Sequence, residues 1–189
     1  MRYVQKYLLN AVLAAAIISQ IACKKDDDVL PSIASIAVTN AAFSTLEDAA
    51  VLGGVAGVLS NSNPGDPSGA YTVFAPDNAA FARLGLNSGA DLAVLQRDFL
   101  TSTLLYHVSN GNLAGSSIVA DATSPSALGP ERRFIARGSD RYINGSKILA
   151  TDVAASNGTV HVIDKVLLAT GVDIVQSALA LRDANVFIV

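Results

Sequence analysis

The chain has 189 residues, 51% of them hydrophobic, which provides one domain of ordinary size with a full core and excludes a disordered polypeptide. Thirteen Lys and Arg against 16 Asp and Glu give a net charge of −3, so nothing favours nucleic acid as a partner. The single cysteine excludes an internal disulfide.

The N-terminus reads as a targeting segment. Arg2 and Lys6 form a short basic region, the residues from Leu8 to Ile18 are apolar apart from Asn10, and Ala22 precedes Cys23. This is the pattern of a secretory signal, and the run falls short of the roughly 20 apolar residues that span a bilayer. Residues 1–22 are therefore expected to be a signal peptide and Cys23 the acylated first residue of a bacterial lipoprotein. The competing reading is a buried free thiol with cleavage elsewhere. Gln20 stands where such signals usually carry Leu, Val or Ile. Lys24, Lys25 and Asp26 to Asp28 make residues 23–31 a solvated tether that cannot join a core. This run also resembles the export signal that follows the lipidated cysteine in surface lipoproteins of Bacteroidetes. The expected address is beyond the inner membrane, lipid-anchored at the outer membrane or cell surface. Without residues 1–22 the chain keeps 11 basic and 16 acidic residues, a net charge of −5.

Along the chain, Ser32–Phe43 and a segment capped by Ser44 carry apolar residues at helical spacing. Gly53, Gly54 and Gly57 follow, but no strand precedes them and they lack the Gly-x-Gly-x-x-Gly order of a nucleotide loop. After a Pro- and Gly-rich loop over 61–69, Tyr71–Ala75 has strand composition, Pro76 ends the pairing, and Asp77 is placed to cap a short helix carrying Phe81 and Leu84. Ser88 and Asp91 have capping-box spacing ahead of an apolar stripe, Leu92, Leu95, Phe99 and Leu100, on a helix expected to run to Tyr106. Short strands are expected around Ile118 and over Phe134–Ala136, with a loop around Ser124–Pro130. Asn144-Gly145 and Asn157-Gly158 each predict a two-residue hairpin turn, flanking a strand at Lys147–Val153. From Asn157 to Leu168 the chain reads as a central strand. Val160, Val162, Val166 and Leu168 share one face, while Thr159, His161 and Lys165 share the other with Ile163 and Leu167. Asp164 falls on the apolar parity and needs hydrogen-bond donors, for which the amides of the 75–79 turn are the expected source. Helices first and hairpins after them indicate an α+β class.

Three segments together resemble a known pattern. Thr-Val-Phe-Ala-Pro-Asp-Asn-Ala-Ala-Phe at 72–81, Leu-Leu-Tyr-His-Val-Ser-Asn-Gly at 104–111 and Asn-Gly-Thr-Val-His-Val-Ile-Asp-Lys-Val-Leu-Leu at 157–168 are similar, in order and separation, to the two signature segments and the intervening Tyr-His motif of a fasciclin-type domain. The resemblance covers residues 32–168. It implies a wedge in which a β-sandwich packs against several helices, and a role in adhesion or in contact with matrix or polymer, usually without catalysis. In animal members adhesion is associated with the Tyr-His segment, matched here by Tyr106 and His107, and with Asp-Ile motifs near the last strand. At the corresponding place this chain has Ser146-Lys147-Ile148-Leu149, with no acidic residue, so integrin-type recognition does not carry over. Residues 169–189 read either as the first helix of a following fasciclin repeat, cut short, or as a simple C-terminal extension.

The inventory for chemistry is thin. The sequence has no Gly-x-Ser-x-Gly, no phosphate loop and no His-Glu-x-x-His, and its acidic residues lack the spacing of a calcium loop. No metal or other cofactor is expected. His107 and His161 are expected to be hydrogen-bonded structural residues, and Asp77 and Asp152 cap and loop residues. The leading expectation is a non-catalytic module bound to the membrane through its lipid, whose partner is an extracellular protein or polysaccharide. The alternative, a periplasmic or surface hydrolase working through a carboxylate pair, requires a pocket in which two carboxyl groups converge.

Overall fold

The computed structural model describes residues 29–168. The readings that concern residues 1–28 and 169–189, including the Cys23 anchor, lie outside them. Helix α1 spans Ile33–Thr39 and is capped by Ser32, whose side chain accepts from the Ser35 amide. A 3-10 turn over Ala41–Phe43 leads into α2, Ser44–Leu52, and then α3, Ala56–Ser60. Ser44 is not the cap of α2. Asn78 caps it from a distance, with Oδ1 accepting from Thr45 N at 3.1 Å and Nδ2 donating to Ser44 Oγ at 3.0 Å. Strand β1, Tyr71–Pro76, feeds straight into α4, Asn78–Ala82. The long helix expected up to Tyr106 is broken in two: α5, Gly89–Leu92, and α6, Arg97–Tyr106, separated by an extended Gln96.

Six strands follow: β2 Val108–Asn110, β3 Thr123–Pro125, β4 Glu131–Arg137, β5 Asp140–Ile143, β6 Ser146–Ala155 and β7 Gly158–Ile163. The segment around Ile118, expected as a strand, instead leaves a 3-10 turn over Gly115–Ser117, and Ile118 is buried. Asn144 and Gly145 turn between β5 and β6 with φ of 45° and 81°, the positive pair that Asn-Gly supplies cheaply. The next hairpin turns one residue earlier than its Asn-Gly suggests. Ala155 pairs with Gly158, so Ser156 and Asn157 form the loop. Asn157 is buried there: its Oδ1 accepts from Ile33 N, and its Nδ2 donates to Leu59 O and Asn61 O, each at 2.9 Å. One side chain thus fastens α1 and the end of α3 to the hairpin.

The β-sandwich implied by the resemblance takes the form not of two separate sheets but of one continuous ladder in the order β2-β1-β7-β6-β5-β4-β3. β1 and β7, second and third in this order, run parallel and the other pairs are antiparallel. The ladder curls until its two edges meet. Ala127 N, just past β3, donates to Val108 O of β2 at 2.8 Å, and the Ser109 and Ser124 hydroxyls lie 3.0 Å apart.

Alternation along β1 and β7 sorts the apolar residues into two cores. Val73, Ala75 and Val160 face the helices, where Ile33, Leu46, Ala49, Leu59 and Leu104 pack. Phe74 and Ile163 face the interior of the curled sheet with Tyr106, Ile118, Phe134, Ile143 and Leu167. The face of β7 that carries Thr159 and His161 is thus an interior face, and both residues are buried.

Candidate functional site

The Tyr-His pair lies where α6 ends and β2 begins. Tyr106 and His107 are 1% and 2% exposed, so neither offers a surface to a partner in this conformation. The Tyr106 hydroxyl accepts from Asn144 Nδ2 at 2.7 Å and donates to Glu131 O at 3.4 Å. His107 Nδ1 donates to Thr103 O, one helical turn back, at 2.7 Å, and its Nε2 accepts from Leu167 N at 2.8 Å. These two bonds fix a neutral imidazole with its proton on Nδ1. Burial, reinforced by the nearby positive charge of Arg132, lowers the His107 pKa from 6.5 to about 4, the bond to Thr103 opposing only part of this.

His161 sits in the same interior with the opposite tautomer. Its Nε2 donates to Leu113 O at 2.9 Å, its Nδ1 accepts from Asp152 N at 3.2 Å, and its ring lies 5.2 Å from that of Phe74. Burial again lowers the pKa. Asp152 occupies a left-handed position, φ 61°, in the irregular stretch of β6, and its Oδ1 accepts from Gly115 N at 2.7 Å, which holds its carboxyl below the usual range. Both histidines thus clamp a passing loop to the sheet through one donated and one accepted bond.

Asp77 stands apart, capping α4 by accepting from Ala80 N at 2.7 Å. Asp164 also stands apart, and its partners are not those of the 75–79 turn. Its Oδ1 accepts from Lys147 N at 2.7 Å and from Ser146 Oγ at 3.2 Å, while Oδ2 is 3.8 Å from Arg83 Nη2. The reason is position. β7 ends at Ile163, so Asp164 lies past the ladder's last pair with β1 and turns to the start of β6. The two signature segments are joined instead by the parallel β1–β7 pairing from Tyr71–Gly158 to Pro76–Ile163, and by Asp77 N donating to Ile163 O at 3.3 Å. Replacing Asp164 with Ala should cost about 1–2 kcal/mol, whereas Asn, which keeps the accepting oxygen, should cost less than about 1 kcal/mol. Urea denaturation at pH 7 reads the difference. Equal losses in the two variants would assign the effect to the charge facing Arg83 instead of the accepting oxygen.

The residue that the sequence reading missed is Arg132, fully buried in β4. Its Nη1 donates to Tyr106 O at 2.8 Å and its Nη2 to Pro125 O and Ser124 Oγ, each at 3.1 Å, and to Ser109 Oγ. The guanidinium carbon stands 5.0 Å from the centre of the Phe74 ring and 6.0 Å from that of Tyr106. The signal was present: Arg132 shares strand parity with Phe134, the interior residue two places on.

Three cavities bear on chemistry. A narrow apolar one of about 80 Å³ lies under α1 and α2, lined by Ile36, Phe43, Leu46 and Val160 with Glu47 at its edge. An open groove of about 660 Å³ is lined by Tyr106, Glu131, Asn144, Ser146 and Lys165. A third, of about 170 Å³, lies at the seam between β2 and β3 and has no carboxylate in its wall. None of the three is lined by two carboxylates, as a hydrolytic pair would require. Among the described residues no group of His, Cys, Asp and Glu is placed to hold a metal ion.

Comparison with known proteins agrees with this architecture. The chain is 32% identical over 155 residues to protein sll1483 of Synechocystis sp., the match covering 82% of this chain and 80% of that one. It is 37% identical over 102 residues to the cell surface glycolipoprotein MPB83 of Mycobacterium bovis, covering 53% of this chain and 44% of the relative. Immunogenic protein MPB70 of the same species is 34% identical over 101 residues, and the match spans about half of it, 51%. Among solved structures, a FAS1 domain pair from the insect cell adhesion molecule Fasciclin I shares the fold, with a TM-score of 0.60 at 18% identity over 75% of this chain and 52% of that one. The model of the Fasciclin domain matches residues 41–169, starting after α1, and the chain belongs to the fasciclin domain family.

Proposed function

We propose that this protein is a lipid-anchored, extracytoplasmic module that mediates adhesion or binds a matrix protein or polysaccharide, without catalysis. The observation that carries the reading is membership of the fasciclin family, whose matched members include a cell surface glycolipoprotein and a cell adhesion molecule by name. The chemistry of the interior supports it. The polar side chains that an enzyme would deploy, His107, His161, Tyr106 and Arg132, each hold backbone or side-chain groups of this fold in place. A glycan and matrix-protein binding screen on a soluble form starting at residue 31 tests the reading, which fails if no polymer or matrix protein is retained.

In this reading residues 1–22 are a signal peptide, Cys23 carries the lipid, 23–31 tether residues 32–168 to the outer membrane or cell surface, and 169–189 extend the domain. Among the described residues no helix is long and apolar enough to cross a membrane. Replacing Cys23 with Ser should move the protein from the membrane fraction to the soluble one. Retention of the Ser variant through detergent-free washes would refute the anchor.

A further inference from the structure

The seam between β2 and β3 holds an unbalanced charge and an unused proton. Arg132 is 0% exposed, and among the described residues no carboxylate lies within the 4.0 Å of an ion pair with it. Its bonds go to carbonyls and to the Ser109 and Ser124 hydroxyls. With a pKa lowered by burial only to about 10, it stays charged at neutral pH. A buried cation solvated by neutral dipoles alone projects its field outward through them.

The two hydroxyls face the third cavity. Both oxygens accept from Arg132 Nη2, and the 3.0 Å between them accommodates one proton. A hydroxyl has a single proton, so the pair has two and the second has no acceptor among the described residues. Both serines are 4% exposed. Beside them, Asn112 Oδ1 accepts from Thr159 Oγ1 at 2.7 Å and Asn110 Oδ1 accepts from Asn63 Nδ2 at 3.0 Å. Both amides therefore have their oxygen engaged, and neither NH2 group meets an acceptor among the described residues. Asp66 is not part of the wall; its Oδ1 is held by Ser68, and its Oδ2 lies 3.2 Å from where a Cβ on Gly111 would stand. A wall of donors around 170 Å³, with a cation behind it, suits an oxyanion.

We propose that this cavity is a subsite for the acidic group of an extracellular polysaccharide, a uronate carboxylate or a sulfate ester, held by the Ser109–Ser124 hydroxyl pair and the Asn110 and Asn112 amides, with Arg132 supplying the charge. A saccharide fits better than a peptide because the rim offers hydroxyls and amides to sugar hydroxyls, with Leu113 and Pro125 its only large apolar groups.

The inference rests on the polymer-binding reading and is separable from it. Calorimetric titration of the full chain in detergent would use oligogalacturonate, dextran sulfate, neutral dextran and polyglutamate as probes. One of the two acidic saccharides should bind, and whichever does identifies the group as uronate or sulfate. Neutral dextran should not bind. The exposed-rim double variant Asn110→Ala/Asn112→Ala should weaken binding about tenfold or more, corresponding to roughly 1.4 kcal/mol, with its melting temperature checked in parallel. Ser124→Ala should weaken it as well. Acidic saccharide binding that is untouched by these variants would overturn the subsite while leaving polymer binding intact. Equal binding of dextran and dextran sulfate, or tighter binding of polyglutamate, would also overturn it. Failure of all four probes would do the same, and the matrix screen above then decides whether the wider reading falls with it.

Discussion

Lowering the pH from 6.5 to 4 should remove about 3 kcal/mol of stability through His107 alone, an upper figure for its full shift. The sign follows from where the protons go. The folded pKa of about 4 lies below the unfolded 6.5, so the unfolded chain binds the extra proton throughout this window. The stability that neutral His107 contributes is therefore complete above pH 6.5 and lost as pH falls through the folded value. Protonation would abolish the acceptor for Leu167 N and place a second cation near Arg132. His161 shifts in the same direction and adds to the slope. Carboxylates held below their usual range by hydrogen bonds, such as Asp152, titrate at lower pH and leave this window to the histidines. Urea midpoints at pH 7, 5.5 and 4 test the expectation. His107→Gln should be less stable at pH 7 by about 1–3 kcal/mol, because it cannot reproduce both bonds, and should show a flatter pH dependence. A wild-type midpoint unchanged between pH 7 and 4 would rule the expectation out.

Among the described glycines, Gly158→Ala should be the most damaging added methyl. Gly158 has a φ of 150° and stands opposite Tyr71 in the parallel β1–β7 pairing. A Cβ there would fall on the Tyr71 carbonyl oxygen and 2.8 Å from Tyr71 N and C, all backbone atoms. Nothing in that contact can rotate away, so β1 and β7 must part where their pairing begins. Strained φ and overpacking each cost about 1–3 kcal/mol, and the two together place the expected loss at roughly 2–6 kcal/mol. Thermal melting reads it directly. Gly57→Ala, which meets nothing within 4 Å, is the control and should be nearly neutral. A Gly158→Ala protein melting within a few degrees of wild type would mean that β1 and β7 tolerate separation at this register.

Both results turn on features that the sequence made legible to different degrees. Strand alternation placed Val160 and Val162 opposite His161 and Ile163, because a period of two survives any packing. The same alternation marks Arg132 as an interior residue once Phe134 is taken as core. Composition hides it, since an arginine in Glu-Arg-Arg-Phe reads as solvated. Local turn chemistry held at Asn144-Gly145, where the side-chain bonds of Asn144 to Arg133 N and the Tyr106 hydroxyl are compatible with the positive φ pair. It slipped by one residue at Asn157-Gly158, because the Asn157 amide is drawn inward by Ile33, Leu59 and Asn61, partners about 100 residues away in sequence. Ser44 lost its capping role to Asn78 for the same reason. The partners of Asp164 were misplaced because parity says which face a residue takes, and not where its strand stops pairing. Motif spacing carried the family, while the cavity at the seam depends on a sheet closure that no local pattern encodes.

That closure also bears on how copies of the protein coexist. Edge strands are where folded proteins most readily join one another, because an unpaired row of amides and carbonyls templates another strand. Here the edges are β2 and β3, three residues each, and they are turned toward one another and fastened by Arg132, the serine hydroxyls and the Ala127–Val108 bond. Among the described residues, neighbouring copies therefore find no open strand to extend. Copies at high concentration can therefore stay separate particles instead of joining edge to edge.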